Sequence, residues 1–192
     1  MKNVLLLGSH GQRVRPLVEN IDKNIIEYSG PFDVDYLNLN RIDMIVSFGY
    51  RHIIKQNVLE KFPGRVVNLH ISYLPWNRGA DPNLWSFLEE TPKGVTIHHI
   101  DEGIDTGDII AQEIIHFHEE ETLATSYIKL CNTVLKLFKT VWPEIEYGTS
   151  CRTKQGATGS FHKTNDRKKY EHLLVSGWNT PVKYIRGKAI LT

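Results

Sequence analysis

Asn68, His70 and Asp105 are the residues whose types and spacing could do chemistry together. Asn68 and His70 lie two apart in Val67-Asn68-Leu69-His70-Ile71-Ser72-Tyr73-Leu74-Pro75, and Asp105 lies in Gly103-Ile104-Asp105-Thr106-Gly107. Side chains on a strand alternate, so residues 68 and 70 share a side, roughly 6–7 Å apart. An amide NH2 and a ring N–H could together hold a carbonyl oxygen as it becomes an oxyanion. A carboxylate beside the imidazole would favour its protonated, donating form, or could take the nucleophile's proton directly or through a water. Each residue also has a plain structural reading. An Asn at a strand end is commonly a turn or cap residue, a His there a satisfied core or surface group, and an Asp between glycines a turn former. The combination is harder to dismiss than its members.

The elements that must position these residues can be read from the hydrophobic pattern. Met1–Gly8, Asn24–Tyr28, Asp43–Phe48, Arg65–His70, Gly94–Ile100 and Asp108–Phe117 read as strands. Gln12 to Asn20, Lys55–Lys61, Asp81–Glu90 and Thr122–Val141 read as helices, the last ended by Pro143. Such alternation predicts an α/β fold with a mostly parallel sheet flanked by helices, and ligands in such sheets sit outside the carboxyl ends of the strands. Between Gly8 and Asp43 there is room for little more than one helix and one strand. The turn Gly8-Ser9-His10-Gly11 is not a dinucleotide fingerprint, so nicotinamide binding is not expected.

Charge divides the chain. Residues 1–150 hold 14 Lys/Arg against 20 Asp/Glu, whereas 151–192 hold nine against two. The expected organisation is a main domain over 1–150 and a small basic C-terminal appendage over 151–192. The appendage could bind a phosphorylated ligand or simply neutralise the acidic body. Cys131 and Cys151 give neither a disulfide framework nor metal-ligand spacing, and no metal is expected. No N-terminal apolar region with a cleavage site is found, and no apolar run is long enough to span a bilayer; the cytoplasm is the expected compartment, with no membrane partner.

The Asn68-Leu69-His70-Ile71-Ser72-Tyr73-Leu74-Pro75 run resembles the Asn-x-His-x-Ser-x-x-Pro motif of the folate-dependent formyltransferases, and Gly103 to Asp108 resembles their second motif. The likeness covers about Asp43 to Gln112. It implies a Rossmann-like formyltransferase domain, with the catalytic roles of the family's Asn, His and Asp falling on Asn68, His70 and Asp105. His98 matches a strand histidine near the family's site, and Leu74-Pro75 a bond the family often holds cis. Ile71 departs from the proline usual there. The implied formyl donor is 10-formyltetrahydrofolate. By the same resemblance its pterin is expected between Tyr50, Arg51, His52, Ile53 and Ile54 on one loop and Ile100, Asp101, Gly103 and Ile104 on another.

The acceptor implied is the amine of a nucleotide-linked deoxy-amino sugar, as used in polysaccharide biosynthesis. Pro75-Trp76-Asn77-Arg78-Gly79 followed by Asn83-Leu84-Trp85 resembles a stretch of the sugar N-formyltransferases, which makes Trp76, Asn77, Arg78, Gly79 and Asn83 the expected acceptor-binding residues. Gly159 to Lys163, with Asp166, resembles a segment near the end of that subfamily, and its basic residues could help hold a nucleoside diphosphate. Glycinamide ribonucleotide or methionyl-tRNA as acceptor, a formyl-folate hydrolase, and a folate- or nucleotide-sugar-binding regulator without turnover are the alternatives. The chain is short for the second domain of the tRNA enzymes, so no nucleic-acid partner is expected. A tail-mediated homodimer is implied by resemblance alone.

Overall fold

The computed structural model describes residues 2–189. In chain order the elements are β1 (Lys2–Leu7), α1 (Gly11–Val18), β2 (Lys23–Tyr28), α2 (Val34–Leu39), β3 (Met44–Ser47), α3 (Gln56–Lys61), β4 (Val66–His70), β5 (Arg78–Gly79), α4 (Pro82–Leu88), β6 (Gly94–His99), β7 (Ile109–Ile114), α5 (Leu123–Tyr147) and β8 (Phe161–His162). Six strands form one sheet in the order β2-β1-β3-β4-β6-β7. β1 pairs parallel with β2 and β3, and β3 with β4; β4–β6 and β6–β7 are antiparallel. The fold is the expected Rossmann-like sheet flanked by helices.

Alternate residues of the central strands bury into two separate cores. Val4, Leu6, Val46, Val67, Leu69, Val95 and Ile97 pack with Leu130, Cys131, Val134, Phe138 and Trp142 of α5. Leu5, Leu7, Ile45 and Val66 turn the other way, onto Leu37 of α2, Val58 of α3, Ile54 and Phe62. A strand covered on both faces reads as an unbroken apolar run, which is why Val4-Leu5-Leu6-Leu7 shows no alternation. On β4, Val67 and Leu69 face α5, so Asn68 and His70 follow Val66 to the α3 face, at the carboxyl end of the strand. Ile71, just beyond, packs at the edge of the α5 core.

Two expectations need correction. Pro143 does not end the last long helix: α5 continues to Tyr147 with Pro143 inside it. The lost backbone bond is outweighed because Trp142 and Ile145 remain buried in the sheet's core beyond the expected end. The stop is Gly148, at φ 72°, with its N–H donating to the Ile145 carbonyl and that of Thr149 to the Glu144 carbonyl. The segment between Gly8 and Asp43 holds two helices and a strand, not one of each. The extra helix, α2, starts at Asp33, whose side chain accepts from the Tyr36 N–H at 2.9 Å.

The tail runs back over the main body. Thr153 exchanges backbone hydrogen bonds with Ile109, and Phe161–His162 pairs parallel with Arg78–Gly79. Val182 and Ile185 bury against Leu84, Trp85 and Leu88 of α4. His162 lies flat on Trp85, with ring centroids 3.8 Å apart. Leu74-Pro75 is a cis peptide. No described helix is long and apolar enough to cross a membrane.

Candidate active site

Cross-strand register assembles the first part of the site. Asn68 on β4 sits directly opposite His98 on β6, and directly opposed side chains are neighbours in an antiparallel pair. The His98 Nδ1–H donates to the His99 carbonyl at 2.7 Å, which leaves Nε2 as an acceptor. Asn68 Nδ2 donates to that Nε2 at 3.2 Å and to Asp105 Oδ1 at 3.3 Å. Both bonds are long for an amide donor, so a developing oxyanion could compete for the same hydrogens.

Asp105 is brought in by the loop between β6 and β7, where it adopts φ 54°. Its Oδ2 accepts from the Gly79 N–H at 2.9 Å and stands 3.7 Å from His70 Nδ1, while Oδ1 stands 3.5 Å from His98 Nε2. Gly79 is required there: its φ is 87°, and a Cβ would lie 2.3 Å from the His162 carbonyl oxygen. The sequence therefore brings together the three residues expected to act as one unit.

Burial would push the Asp105 carboxyl up, but His70, His98 and the Gly79 N–H together outweigh it and hold the group well below the usual carboxylate range. Burial lowers the pKa of His70 from 6.5, more than Asp105 raises it. The resting ring is therefore neutral at neutral pH, not the protonated form expected from the nearby carboxylate. Its Nε2–H donates to the Asn77 carbonyl at 3.2 Å, which leaves the Nδ1 lone pair on the Asp105 side.

Two cavities meet at this cluster. One, of about 610 Å³, runs along the α5 face past Ile71, Leu84, Leu123, Tyr127, Ile128 and Trp178. The other, of about 930 Å³, lies on the α3 face and is lined by Tyr50, Arg51, His52, Ile53, Ile54, Ile100, Asp101, Gly103 and Ile104, with Lys163 and Arg167 from the tail. Tyr50, Asn68, Gly79, Asp81, Asp105 and Tyr127 are among the residues that line both. All nine residues expected at a pterin slot thus fall on one cavity. Ile53 and Ile104 stand exposed beside it, an arrangement suited to a flat ring. The Tyr50 hydroxyl donates to the Gly30 carbonyl, and burial pushes its pKa up to about 12. Asp101 folds its own loop, accepting from Thr106 Oγ1 at 2.6 Å and from the Gly103 N–H at 3.1 Å.

The five residues expected at the acceptor divide. Gly79 and Asn83 line cavities. Asn83 is itself buried, joining α4 to α5 by donating to the Leu123 carbonyl and accepting from Ser126 Oγ. Asn77 is fully buried, donates to Thr91 Oγ1, and presents its carbonyl to His70. Arg78 forks onto Gln155 rather than facing a cavity, and Trp76 lines neither cavity. Asp81, Tyr127, Trp178 and Gln155 were not singled out from the sequence. Only Asp81 fell on an expected feature, the start of the helix 81–90, and the structure places it just before Pro82 with no side-chain capping bond. Among the described residues no group of side chains is set to hold a metal.

The sheet, the Asn68–His70–Asp105 cluster and the paired cavities define a class. The chain matches the formyl transferase family over residues 31–141 and belongs to that family. It is similar to the formyltransferase PseJ from Anoxybacillus kamchatkensis, solved in complex with UDP-4,6-dideoxy-4-formamido-L-AltNAc and tetrahydrofolate. Identity is 48% and the TM-score 0.93, over 97% of this chain and 99% of that one. A phosphoribosylglycinamide formyltransferase from Bacillus subtilis is 37% identical over 93 residues, which is 48% of this chain and 48% of that protein. The structure of the Bacillus halodurans phosphoribosylglycinamide formyltransferase gives a TM-score of 0.62 at 26% identity, covering 72% of this chain and 92% of that one.

Proposed function

We propose that the protein transfers a formyl group from 10-formyltetrahydrofolate to the amine of a nucleotide-linked deoxy-amino sugar. The observation that carries this reading is the meeting of two adjoining cavities at Asn68 and Asp105. A transfer between two bulky substrates needs such a meeting point. The nine loop residues on the α3-face cavity support giving it to the folate, which leaves the other cavity, with Leu123, Ile128 and Trp178, for the acceptor. The likeness to PseJ over nearly the whole chain supports a sugar acceptor more strongly than the half-chain likeness to the glycinamide enzyme.

In this reading Asn68 donates to the oxyanion as the amine attacks the formyl carbon. The Asp105 carboxylate already accepts from the Gly79 N–H and the Asn68 amide, which makes it the poorer acceptor for the amine's proton. Neutral His70 is the better acceptor: its Nδ1 is free, and the imidazolium so formed faces the Asp105 carboxylate and the Asn77 carbonyl. His70 can then return the proton to the departing nitrogen. The Asn83 and Asn77 side chains hold walls and rings in place rather than substrate.

Residues 1–150 would supply the catalytic sheet and 151–192 a tail that completes both cavities. We place the reaction in the cytoplasm. A tail-mediated homodimer is suggested by the exposed Val175, Trp178 and Tyr184, and sedimentation showing a monomer at assay concentrations would dismiss it.

The test incubates the protein with 10-formyltetrahydrofolate and a panel of UDP- and dTDP-linked amino sugars, with glycinamide ribonucleotide alongside. Mass spectrometry should show one formyl group gained on a sugar nucleotide. Turnover of glycinamide ribonucleotide alone would refute the sugar assignment. Formate release without an acceptor would mark a hydrolase, and folate binding without any product a regulator.

A further inference from the structure

Gln155, in the tail, uses every hydrogen-bonding valence of its carboxamide on the catalytic loops. Its Oε1 accepts both Arg78 Nε at 3.1 Å and Arg78 Nη2 at 2.7 Å. Its Nε2 donates to the carbonyls of Asp105 and Gly107, each at 2.8 Å. The next residue after Arg78 is Gly79, whose N–H meets the Asp105 carboxylate. A closed circuit results: Asp105 backbone to Gln155, Gln155 to Arg78, Arg78 along the chain to Gly79, and Gly79 back to the Asp105 side chain.

The circuit is not needed to fasten the tail. Two residues upstream, Thr153 is tied to Ile109 by a reciprocal pair of backbone bonds. Downstream, Ser160 bonds the Pro75 carbonyl and β8 pairs with β5. Gln155 lies between these anchors, and what it adds is a grip on a loop whose key residue sits at φ 54°. Non-glycine residues persist in that region only when their surroundings over-determine them.

We infer that Gln155 is a positioning residue for catalysis, holding the Asp105 backbone where its carboxylate faces His70 and Asn68. The inference rests on the reading of Asp105 as part of the reacting cluster. It also assigns Arg78 a role other than acceptor binding: its guanidinium orients the carboxamide so that both N–H bonds point at the 105–107 loop.

The experiment compares Gln155→Glu, Gln155→Ala and Asp105→Asn with the parent protein, using formyl transfer to the acceptor that the panel identifies. A glutamate keeps, as an ion pair, the acceptor for Arg78 but has no hydrogens for the two carbonyls. Displacing a reacting group by about an ångström costs on the order of a hundredfold in rate. The expected result is a kcat lower by about 10- to 100-fold in both Gln155 variants, with KM for donor and acceptor unchanged. The melting temperature of Gln155→Glu should stay near that of the parent. A parental kcat in Gln155→Glu, or a loss confined to KM, would overturn the inference while an inactive Asp105→Asn left the catalytic reading standing. Parental turnover in Asp105→Asn would overturn both.

Discussion

His98 and His99 are neighbours on β6, both at least nine-tenths buried, yet their surroundings are opposite. His98 faces the α3 side, with one ring nitrogen on the His99 carbonyl and the other on Asn68 and near Asp105. His99 faces the α5 side, beside Met44, Trp142 and Ile145, and neither of its ring nitrogens has a partner among the described residues. The difference is one of loops. At the carboxyl end of β4 the 77–81 and 103–107 segments bring backbone N–H groups and a carboxylate to the sheet edge. At the other end α5 and a mixed set of side chains, Met44, Trp142 and Ile145 with Asp43, Arg65 and Arg152, surround His99 without reaching its ring nitrogens. The side chains of Asn68, His98 and Asp105 are joined into one network, whereas His99 is simply taken out of water.

Breaking the network should have the largest effect. Asn68→Ala removes the proposed oxyanion donor and should lower kcat by about 100- to 1000-fold, the usual cost of losing one such donor. Asp105→Asn should cost at least as much, since it also removes the countercharge for His70. Steady-state kinetics with saturating donor would read both, and near-parental turnover in either would dissolve the distinction drawn between the two ends of the sheet.

The next effect belongs to pH. Because burial lowers the His70 pKa from 6.5, the ring stays neutral through pH 6.5 and becomes protonated only further into acid. If neutral His70 takes the amine's proton, kcat/KM should show an acid limb below pH 6.5 and lose activity as pH falls through it. A limb above that value would mean that the Asp105 carboxylate wins over burial and that the protonated ring is the resting form.

A smaller loss is expected from His98→Leu, which deletes the acceptor that orients the Asn68 amide and touches neither substrate in the proposed reaction. A drop of about tenfold in kcat at unchanged KM would fit a residue acting through another. An effect as large as that of Asn68→Ala would move His98 into the reacting group.

The same contrast accounts for what could be read from the chain. The strands were legible because Val4–Leu7 and Val66–His70 carry the apolar runs of a sheet covered on both faces. The trio was legible because its residues lie on two short motifs in a fixed order. The end of α5 was misread because Pro143 is a strong local signal, while the burial of Trp142 and Ile145 that overrides it is tertiary. α2 escaped notice because only Leu37 in it is buried, which leaves no apolar periodicity. Gln155 had no local signal at all: its meaning comes from contacts 48 to 77 residues away. Arg78 was expected at the acceptor from its motif, and the fold gave its guanidinium a partner inside the protein.

His99 supplies the smallest effect and the opposite sign. Burial, followed by the nearby Arg152, lowers its pKa from 6.5 to about 4. The native state therefore holds the ring neutral where the unfolded chain would protonate it. As pH falls from 6.5 towards 4 the unfolded state binds the extra proton, so this residue withdraws stability across that window and not above it. A shift of that size corresponds to a loss on the order of 3 kcal/mol at the acid end. His99→Leu replaces a ring without hydrogen-bond partners by an apolar group beside Met44, Trp142 and Ile145, next to a cavity of about 210 Å³ that can absorb the change in shape. Urea midpoints at pH 7.5 and pH 5.0 should therefore lie closer together in the variant than in the parent, with formyl transfer unaffected. An equal pH dependence in the two proteins would show that His99 has found a partner, and the two neighbours on β6 would then differ in position but not in how the fold treats them.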